Sequence, residues 1–410
     1  MTLAVLDRLR QHADYTHKYN LSSGRHGWLR LTPAYSVRIV EELIGANQDH
    51  QRVLDPFCGT ATTALSAAYY GHESVTTDIN PFLVWLGRAK TARYSAATIT
   101  RTGQACAEII ALVQGKKIKP STVPTIHNIE RWWSPTALNF LCHLQAAMDI
   151  IAPPETQEGI LLRVAFCRTL IACSNASFNH QSMSFRDTSQ LEIKNQADLT
   201  DAFKMDVKFI LAGAVENPVG VANVLLHDAR ELSKLAEEPF NLVVTSPPYA
   251  NRMSYVRELR PYMYWLGFLV NGRDAGELDW LTIGGTWGVA TSRLNDWKPA
   301  EGHFIFGELE KTLASVSKPD NPNGSVLASY IRKYCVDMAK HFAELRAILA
   351  PRARVHYIVG NSTFYGHLLS VEKIYAHIMH AEGFSNINIR PIRKRNSKKE
   401  LVEFDVSARL

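Results

Sequence analysis

No stretch of this chain approaches the roughly 20 consecutive apolar residues that a membrane-spanning helix requires, and Met1 to Arg10 is too charged and too amphipathic for a secretory signal. The expectation is a soluble, cytoplasmic protein with no membrane partner. The six cysteines, Cys58, Cys106, Cys142, Cys167, Cys173 and Cys335, form no CxxC pair and no cluster with histidine. That excludes a zinc ribbon and a disulfide scaffold, and no metal site is expected. The Walker pattern GxxxxGKS or GxxxxGKT is missing, so triphosphate cleavage has no phosphate cradle, and the dinucleotide pattern GxGxxG is missing as well. No internal repeat, low-complexity tract or PD-(D/E)xK-like nuclease set is present. A net charge of +6 suits a polyanionic partner without requiring one.

What is present is alternation. Val53-Leu54 reads as a strand, Thr62 to Tyr70 as a helix and Ser74 to Thr77 as the next strand, the pattern of a βαβ unit. From 96 to 215 the pattern turns to amphipathic helices, among them Ala137 to Ile151 and Gly159 to Cys173. Strands return at Ala222 to Leu226 and Asn241 to Val244. Two further helix-to-strand units follow, Ser329 to Leu349 with Val355 to Val359, and Ser370 to Glu382 with Ile387 to Arg390. Asn271 to Asn323 is rich in Gly, Trp, Asp and Pro and reads as loops. The predicted fold is α/β, a doubly wound, mostly parallel sheet split by a helical insertion. Its parts are 1–95, 216–270 and 326–410 for the sheet domain, 96–215 for the insertion and 271–325 for a loop-rich segment.

Two junctions in this sheet carry chemistry. Leu242-Val243-Val244 must end as a strand where Pro247 and Pro248 begin, because proline gives no N–H to a ladder. Ser246-Pro247-Pro248-Tyr249 then stands at a strand's carboxyl end, the edge where open α/β sheets bind ligands. The other junction is Leu54-Asp55-Pro56-Phe57-Cys58-Gly59-Thr60, an acid and a glycine between strand and helix, followed one strand later by Asp78. Either acid alone reads as a turn or cap residue. Together, one strand apart, they suit a nucleoside-containing cofactor whose ribose hydroxyls an acid can hold.

These residues resemble the DNA amino-methyltransferases, enzymes that use S-adenosylmethionine to methylate the exocyclic amine of cytosine or adenine. Asp55-Pro56-Phe57-Cys58-Gly59-Thr60 is similar to that family's motif I, and Thr245-Ser246-Pro247-Pro248-Tyr249 to its motif IV. Arg25-His26-Gly27-Trp28 with Pro33-Ala34-Tyr35 resembles motif X, Asp78-Ile79-Asn80-Pro81 motif II, and His227-Asp228-Ala229 motif III. Leu349-Ala350-Pro351 and Val359-Gly360-Asn361-Ser362 are similar to its late sheet motifs. The resemblance implies a Rossmann-like class I methyltransferase fold. It implies a cofactor site of His26, Trp28, Asp55, Pro56, Phe57, Gly59, Thr60, Asp78, Ile79, Asp228 and Ala229, with Ser246, Pro247, Pro248 and Tyr249 around the reacting base. Ala61 stands where the family usually has a second glycine, so a helical or near-helical backbone is expected there.

The first residue of the SPPY tetrad resembles that of the cytosine-N4 enzymes, with adenine N6 as the alternative. Carbon methylation is not expected, since none of the six cysteines follows a proline. Double-stranded DNA is the expected partner, and in a restriction system the nuclease is expected to be a separate chain. Three stretches are candidates for DNA contact: Ser174 to Ser182, with Asn175, Asn179 and His180; Thr282 to Gly288 together with Arg293; and the basic run holding Arg390, Arg393, Lys394, Arg395, Lys398 and Lys399. Each also has a plain reading as an interhelical loop, a loop closure or a solvated tail. An RNA or protein methyltransferase, or an inactive nucleic-acid-binding module on the same sheet, are the rival functions.

Overall fold

The computed structural model describes the chain outside residues 1–8, 10–12, 32–33, 46–48, 116–117, 178–183, 186–195, 236–237, 286–288, 301–303, 305 and 396–399. Pro33, Asn179, His180, Trp287, Lys398 and Lys399 therefore lie outside the described residues. Seven strands form one sheet: β1 (Arg52–Asp55), β2 (Glu73–Asp78), β3 (Val221–Leu226), β4 (Phe240–Thr245), β5 (Leu349–Gly360), β6 (Ser385–Lys394) and β7 (Val402–Arg409). Their order across the sheet is β6-β7-β5-β4-β1-β2-β3. β3, β2, β1, β4 and β5 run parallel, and β7 pairs antiparallel with both β5 and β6. The predicted doubly wound, mostly parallel sheet is the observed one.

The central strands are apolar on both faces because helices cover both. Val53, Leu242, Val244 and Ile358 pack against the helix Val37–Gly45. On the opposite face Leu54, Val243, Val355, Tyr357 and Val359 pack with the helices Gly324–Arg346 and Val371–Ala381. The helical block, chiefly Ala96–Gly115, Pro135–Ile151, Gln157–Ala172 and Gln196–Ala214, shares a core with the helices Pro81–Thr91 and Tyr255–Trp265 of the sheet domain. Phe82 stacks on Tyr262 at 5.1 Å within that core. The insertion thus rests on the sheet domain through shared packing.

Two sequence expectations need correction. The 271–323 stretch holds the helices Gly272–Leu281, Val289–Asp296 and Gly307–Val316; the first is held by a reciprocal cap between Asn271 and Asp274, which outweighs its poor glycine-rich composition. The sheet also has a last strand, β7, that hydropathy did not single out. Its residues Glu403 and Asp405 are buried charges, which break the apolar pattern of an interior strand. Among the described residues no helix is long and apolar enough to cross a membrane.

Arg25 holds the amino-terminal segment to both domains. It is fully buried and donates to the carbonyls of Lys90 (3.0 Å), Ala92, Gly213 (3.0 Å) and Ala214 (3.0 Å) and to the Asn217 side chain (2.8 Å). Those five bonds use all five guanidinium N–H groups, and Trp28 and Tyr94 stack on the plane. Arg25→Ala leaves these buried acceptors unpaired, so urea unfolding should report a loss of about 3 kcal/mol or more. Arg25→Lys should recover little of it, because an ammonium cannot span the same fork.

Candidate active site

β1 and β4 are neighbours at which the chain reverses the direction in which it adds strands: β2 and β3 lie to one side, β5 and β7 to the other. Such a switch point opens a crevice at the strands' carboxyl ends. Asp55 and Thr245, the last residues of the two strands, meet there in a 2.5 Å hydrogen bond from the Thr245 hydroxyl to Asp55 Oδ1. Asp55 Oδ1 also accepts the Phe57 N–H at 3.1 Å. Pro56 ends the strand, and the Cys58 N–H bonds the Thr77 carbonyl at 2.7 Å, bending the chain towards β2.

Within this turn Gly59 adopts a left-handed conformation, φ +49°. Ala61 corrects an expectation: it too is left-handed, with φ +59° and ψ +31°, not helical. The methyl group is fully buried with Cys58, Val84 and Val224, and this packing works against a conformational cost of about 1–2 kcal/mol. Lys90, also fully buried, ties the turn down by donating to the Thr60 carbonyl at 3.0 Å and the His26 carbonyl at 3.2 Å. Burial pulls its ammonium down to about 7.

The three acids are all disfavoured as anions by burial, and their partners offset that to different extents. Asp55 has one oxygen without a partner, and burial pushes its carboxyl up to about 7 against the hydrogen bonds it accepts. Asp78 accepts the Gly59 N–H at 3.0 Å and the Asn80 N–H at 2.8 Å; the protein around it pushes it up to about 6, although one side opens to the crevice. Burial also works against the Asp228 anion, but the Arg230 guanidinium at 2.7 Å outweighs it and holds the carboxyl below its ordinary range.

On the other side of the crevice the Ser246 hydroxyl donates to the Ile358 carbonyl at 3.0 Å. The Pro248 carbonyl accepts the Tyr334 hydroxyl at 2.9 Å, and Tyr334 meets Tyr375 at 2.6 Å. The Tyr249 N–H bonds the Tyr255 oxygen at 3.1 Å, and the Tyr249 hydroxyl donates to Glu403 at 2.7 Å. Arg393 holds the same carboxylate through two bonds, 2.8 and 3.2 Å long. Arg395 lies over the Tyr249 ring, its guanidinium carbon 4.9 Å from the ring centre.

Both junctions open into one cavity of about 310 Å³. Its walls include Pro56, Phe57, Gly59, Thr60, Asp78, Ile79, Asp228 and Ala229 at one end, and Ser246, Pro247, Pro248, Tyr249, Arg393 and Arg395 at the other. Asp55 stands just behind that wall. Ala34 and Tyr35, quoted above for their resemblance to motif X, line the cavity too, whereas sequence reasoning missed Asn251, Tyr255 and Glu403, which also line it. Of these only Glu403, an acid alternating with apolar residues, carried a signal.

Four of the predicted site residues lie elsewhere. Trp28 is fully buried in the helical core against Tyr94, a packing residue. His26 borders a small side pocket with Asn20 and Thr60, and burial pulls its imidazole down to about 3, so it is neutral. Asn175 is buried and its side-chain amide donates to the Arg131 carbonyl at 3.2 Å, away from the cavity. Arg293 is held by both oxygens of Glu277, at 2.8 and 2.7 Å, away from the cavity. Among the described residues no group of three or more His, Cys, Asp and Glu has the arrangement of a metal site.

No family model matches the chain. It is similar over nearly its whole length to curated methyltransferases. Type II methyltransferase M.BsoBI of Geobacillus stearothermophilus is 21% identical over 436 residues, covering 95% of this chain and 84% of that protein. M.MvaI of Kocuria varians is 21% identical over 372 residues, covering 85% and 78%. M.AvaI of Nostoc sp. is 21% identical over 448 residues, covering 96% and 88%.

The Asp55 environment has a measurable consequence. A carboxyl raised in the folded state stabilises the fold at low pH and loses that contribution as pH rises from about 4 through about 7. Asp55→Asn keeps the acceptor for Thr245 and Phe57 and removes the titration. The variant should therefore gain stability relative to the unsubstituted protein as pH is raised from 4 to 8, by a few kcal/mol at most, read by denaturant unfolding at each pH.

Proposed function

We propose that this chain is an S-adenosylmethionine-dependent DNA methyltransferase that modifies the N4 amine of cytosine within a short recognition site, as the modification enzyme of a restriction system whose nuclease is a separate chain. The observation that carries the reading is that the acid-and-glycine turn and the SPPY tetrad line one and the same cavity. The type II designation of the relatives supports it.

The cofactor end fits a nucleoside. Asp78 presents a carboxylate to the cavity beside Gly59, whose missing side chain lets a ligand approach the backbone, and Phe57, Asp228 and Ala229 line the adjoining wall. In this assignment Asp78 takes the ribose hydroxyls, Phe57, Ile79, Asp228 and Ala229 the adenine side, and Pro56, Gly59 and Thr60 the methionine end. When bound, S-adenosylmethionine supplies an electrophilic methyl group.

The target end is built of acceptors. Pro247 and Pro248 have no N–H, and the Ser246 proton is spent on the Ile358 carbonyl, so the serine oxygen has lone pairs left to accept. Tyr334 occupies the Pro248 carbonyl, which leaves Pro247 as the second acceptor. A pair of acceptors suits an NH2 group. Holding both hydrogens draws the amine nitrogen out of conjugation with its ring, turns its lone pair towards the incoming methyl and stabilises the positive charge that develops on it. Extruding a base costs a few kcal/mol, and stacking on Tyr249 returns about 1–3 kcal/mol. The choice of cytosine over adenine rests on the resemblance of the serine-first tetrad to that of the cytosine-N4 enzymes.

The test is incubation with S-adenosylmethionine and unmethylated genomic DNA, followed by nucleoside mass spectrometry. N4-methylcytosine is expected, with Ser246→Ala reducing kcat by about 10² or more and Tyr249→Ala weakening DNA-dependent turnover, while cofactor binding by calorimetry stays intact in both. N6-methyladenine would move the target to adenine. Neither base, with cofactor binding intact, would move the substrate to RNA or protein.

A further inference from the structure

We infer that Arg395 is the second wall of the target-base pocket, so that an extruded base slides between its guanidinium and the Tyr249 ring. The inference rests on the proposed function and assigns Arg395 to the base in place of the DNA backbone.

Three observations carry it. Arg395 and Tyr249 border the same cavity as Ser246 and Pro247, and the guanidinium already covers the phenol ring at 4.9 Å. The fold makes room for that placement at Gly360, where a Cβ would meet Arg395 Nη1 at 2.6 Å and its Cδ and Cζ at 2.9 Å. Any side chain at 360 would displace the arginine from the tyrosine. The third is the absence of a charge partner. Arg390 and Arg393, on β6 just before it, pair with Asp405 and Glu403, whereas among the described residues the Arg395 guanidinium has no carboxylate partner and a single hydrogen-bond acceptor, the Asn361 carbonyl at 2.7 Å.

That combination defines a movable plate. Asn361 is itself fixed, its amide donating to the Glu400 carbonyl at 2.8 Å and its side-chain oxygen accepting the Val402 N–H at 3.0 Å, so the tether does not drift. Two stacking contacts of about 3.5 Å each need a gap of about 7 Å, so the guanidinium has to lift by about 2 Å to admit a base. One hydrogen bond at its corner permits the pivot. A planar, weakly hydrated cation stacks on a nucleobase as it now stacks on the phenol. With the pocket empty, the guanidinium covers the aromatic face that water would otherwise wet.

The experiment compares Arg395→Ala and Arg395→Lys with the unsubstituted protein on duplex oligonucleotides carrying the site found methylated in genomic DNA. Three duplexes are used, with the target base paired, mismatched or replaced by an abasic position, and Kd is measured by anisotropy at two salt concentrations. Both variants should lose about tenfold in affinity for the mismatched-target duplex and little for the abasic one. The lysine variant, which keeps the charge, should fare no better than alanine. Equal losses on all three duplexes, with lysine restoring affinity, would make Arg395 a phosphate contact and overturn the assignment, as would no loss in either variant. Failure of the unsubstituted protein to methylate DNA would show earlier, by mass spectrometry, and would overturn the functional reading together with this one.

Discussion

The site depends on two parallel strands ending level with each other and staying there. The Thr245 hydroxyl reaches Asp55 across the switch point at 2.5 Å, joining residues 190 positions apart in the chain. One strand feeds the glycine turn and the other feeds Ser246, so this contact sets the distance between the two ends of the cavity. Asp55 performs that task from a buried position with one oxygen unpartnered. A hydrophobic residue there would pack at less electrostatic cost, but it would leave the Thr245 hydroxyl and the Phe57 N–H without an acceptor.

Around that joint the polar groups are sorted by role. Cations that serve only the fold are buried against carbonyls: Arg25 binds the ends of two helices, and Lys90 ties the turn at Thr60 to His26. The acids facing the cavity are shifted in opposite directions, Asp228 held down beside Arg230 and Asp78 pushed up to about 6 by burial. One cavity therefore offers a firm negative charge and, at the end of the neighbouring strand β2, a carboxyl that titrates closer to neutral pH. That suits a ligand that is a neutral nucleoside on one side and charged elsewhere.

The target side is organised by the antiparallel strand β7. Glu403 is buried, yet the Arg393 fork and the Tyr249 hydroxyl account for both of its oxygens, so its desolvation is offset by three hydrogen bonds. The pay-off is geometric. A tyrosine on a loop after two prolines is fixed at its backbone N–H by Tyr255 and at its hydroxyl by Glu403, so the ring is presented as a rigid face. The basic run that looked from the sequence like a phosphate-binding tail is, at Arg393 and Arg395, part of the wall around that face.

Much of this was legible in the primary structure. The strand-turn-helix alternation, the stop at Pro247 and Pro248, and the acids at strand ends follow from local rules, because a proline cannot pair and a buried parallel strand must be apolar. Those rules led to both junctions, and the resemblance to the amino-methyltransferase motifs together with the basic run added the rest of the fourteen residues now found on the cavity wall. They failed where the cause is not local. Ala61 is left-handed at the entry to the helix Thr62–Tyr69, and the packing of its methyl group with Cys58, Val84 and Val224 offsets the cost. Trp28 and Asn175 are interior residues because the helical block packs over them, a fact that no window of the sequence contains. The chemistry of each end of the cavity was thus determined by the sequence itself. That both line one cavity, and that Glu403 and Arg395 from the last hairpin close around Tyr249, was decided by the tertiary structure alone, because strand order and side-chain convergence depend on contacts more than a hundred residues apart.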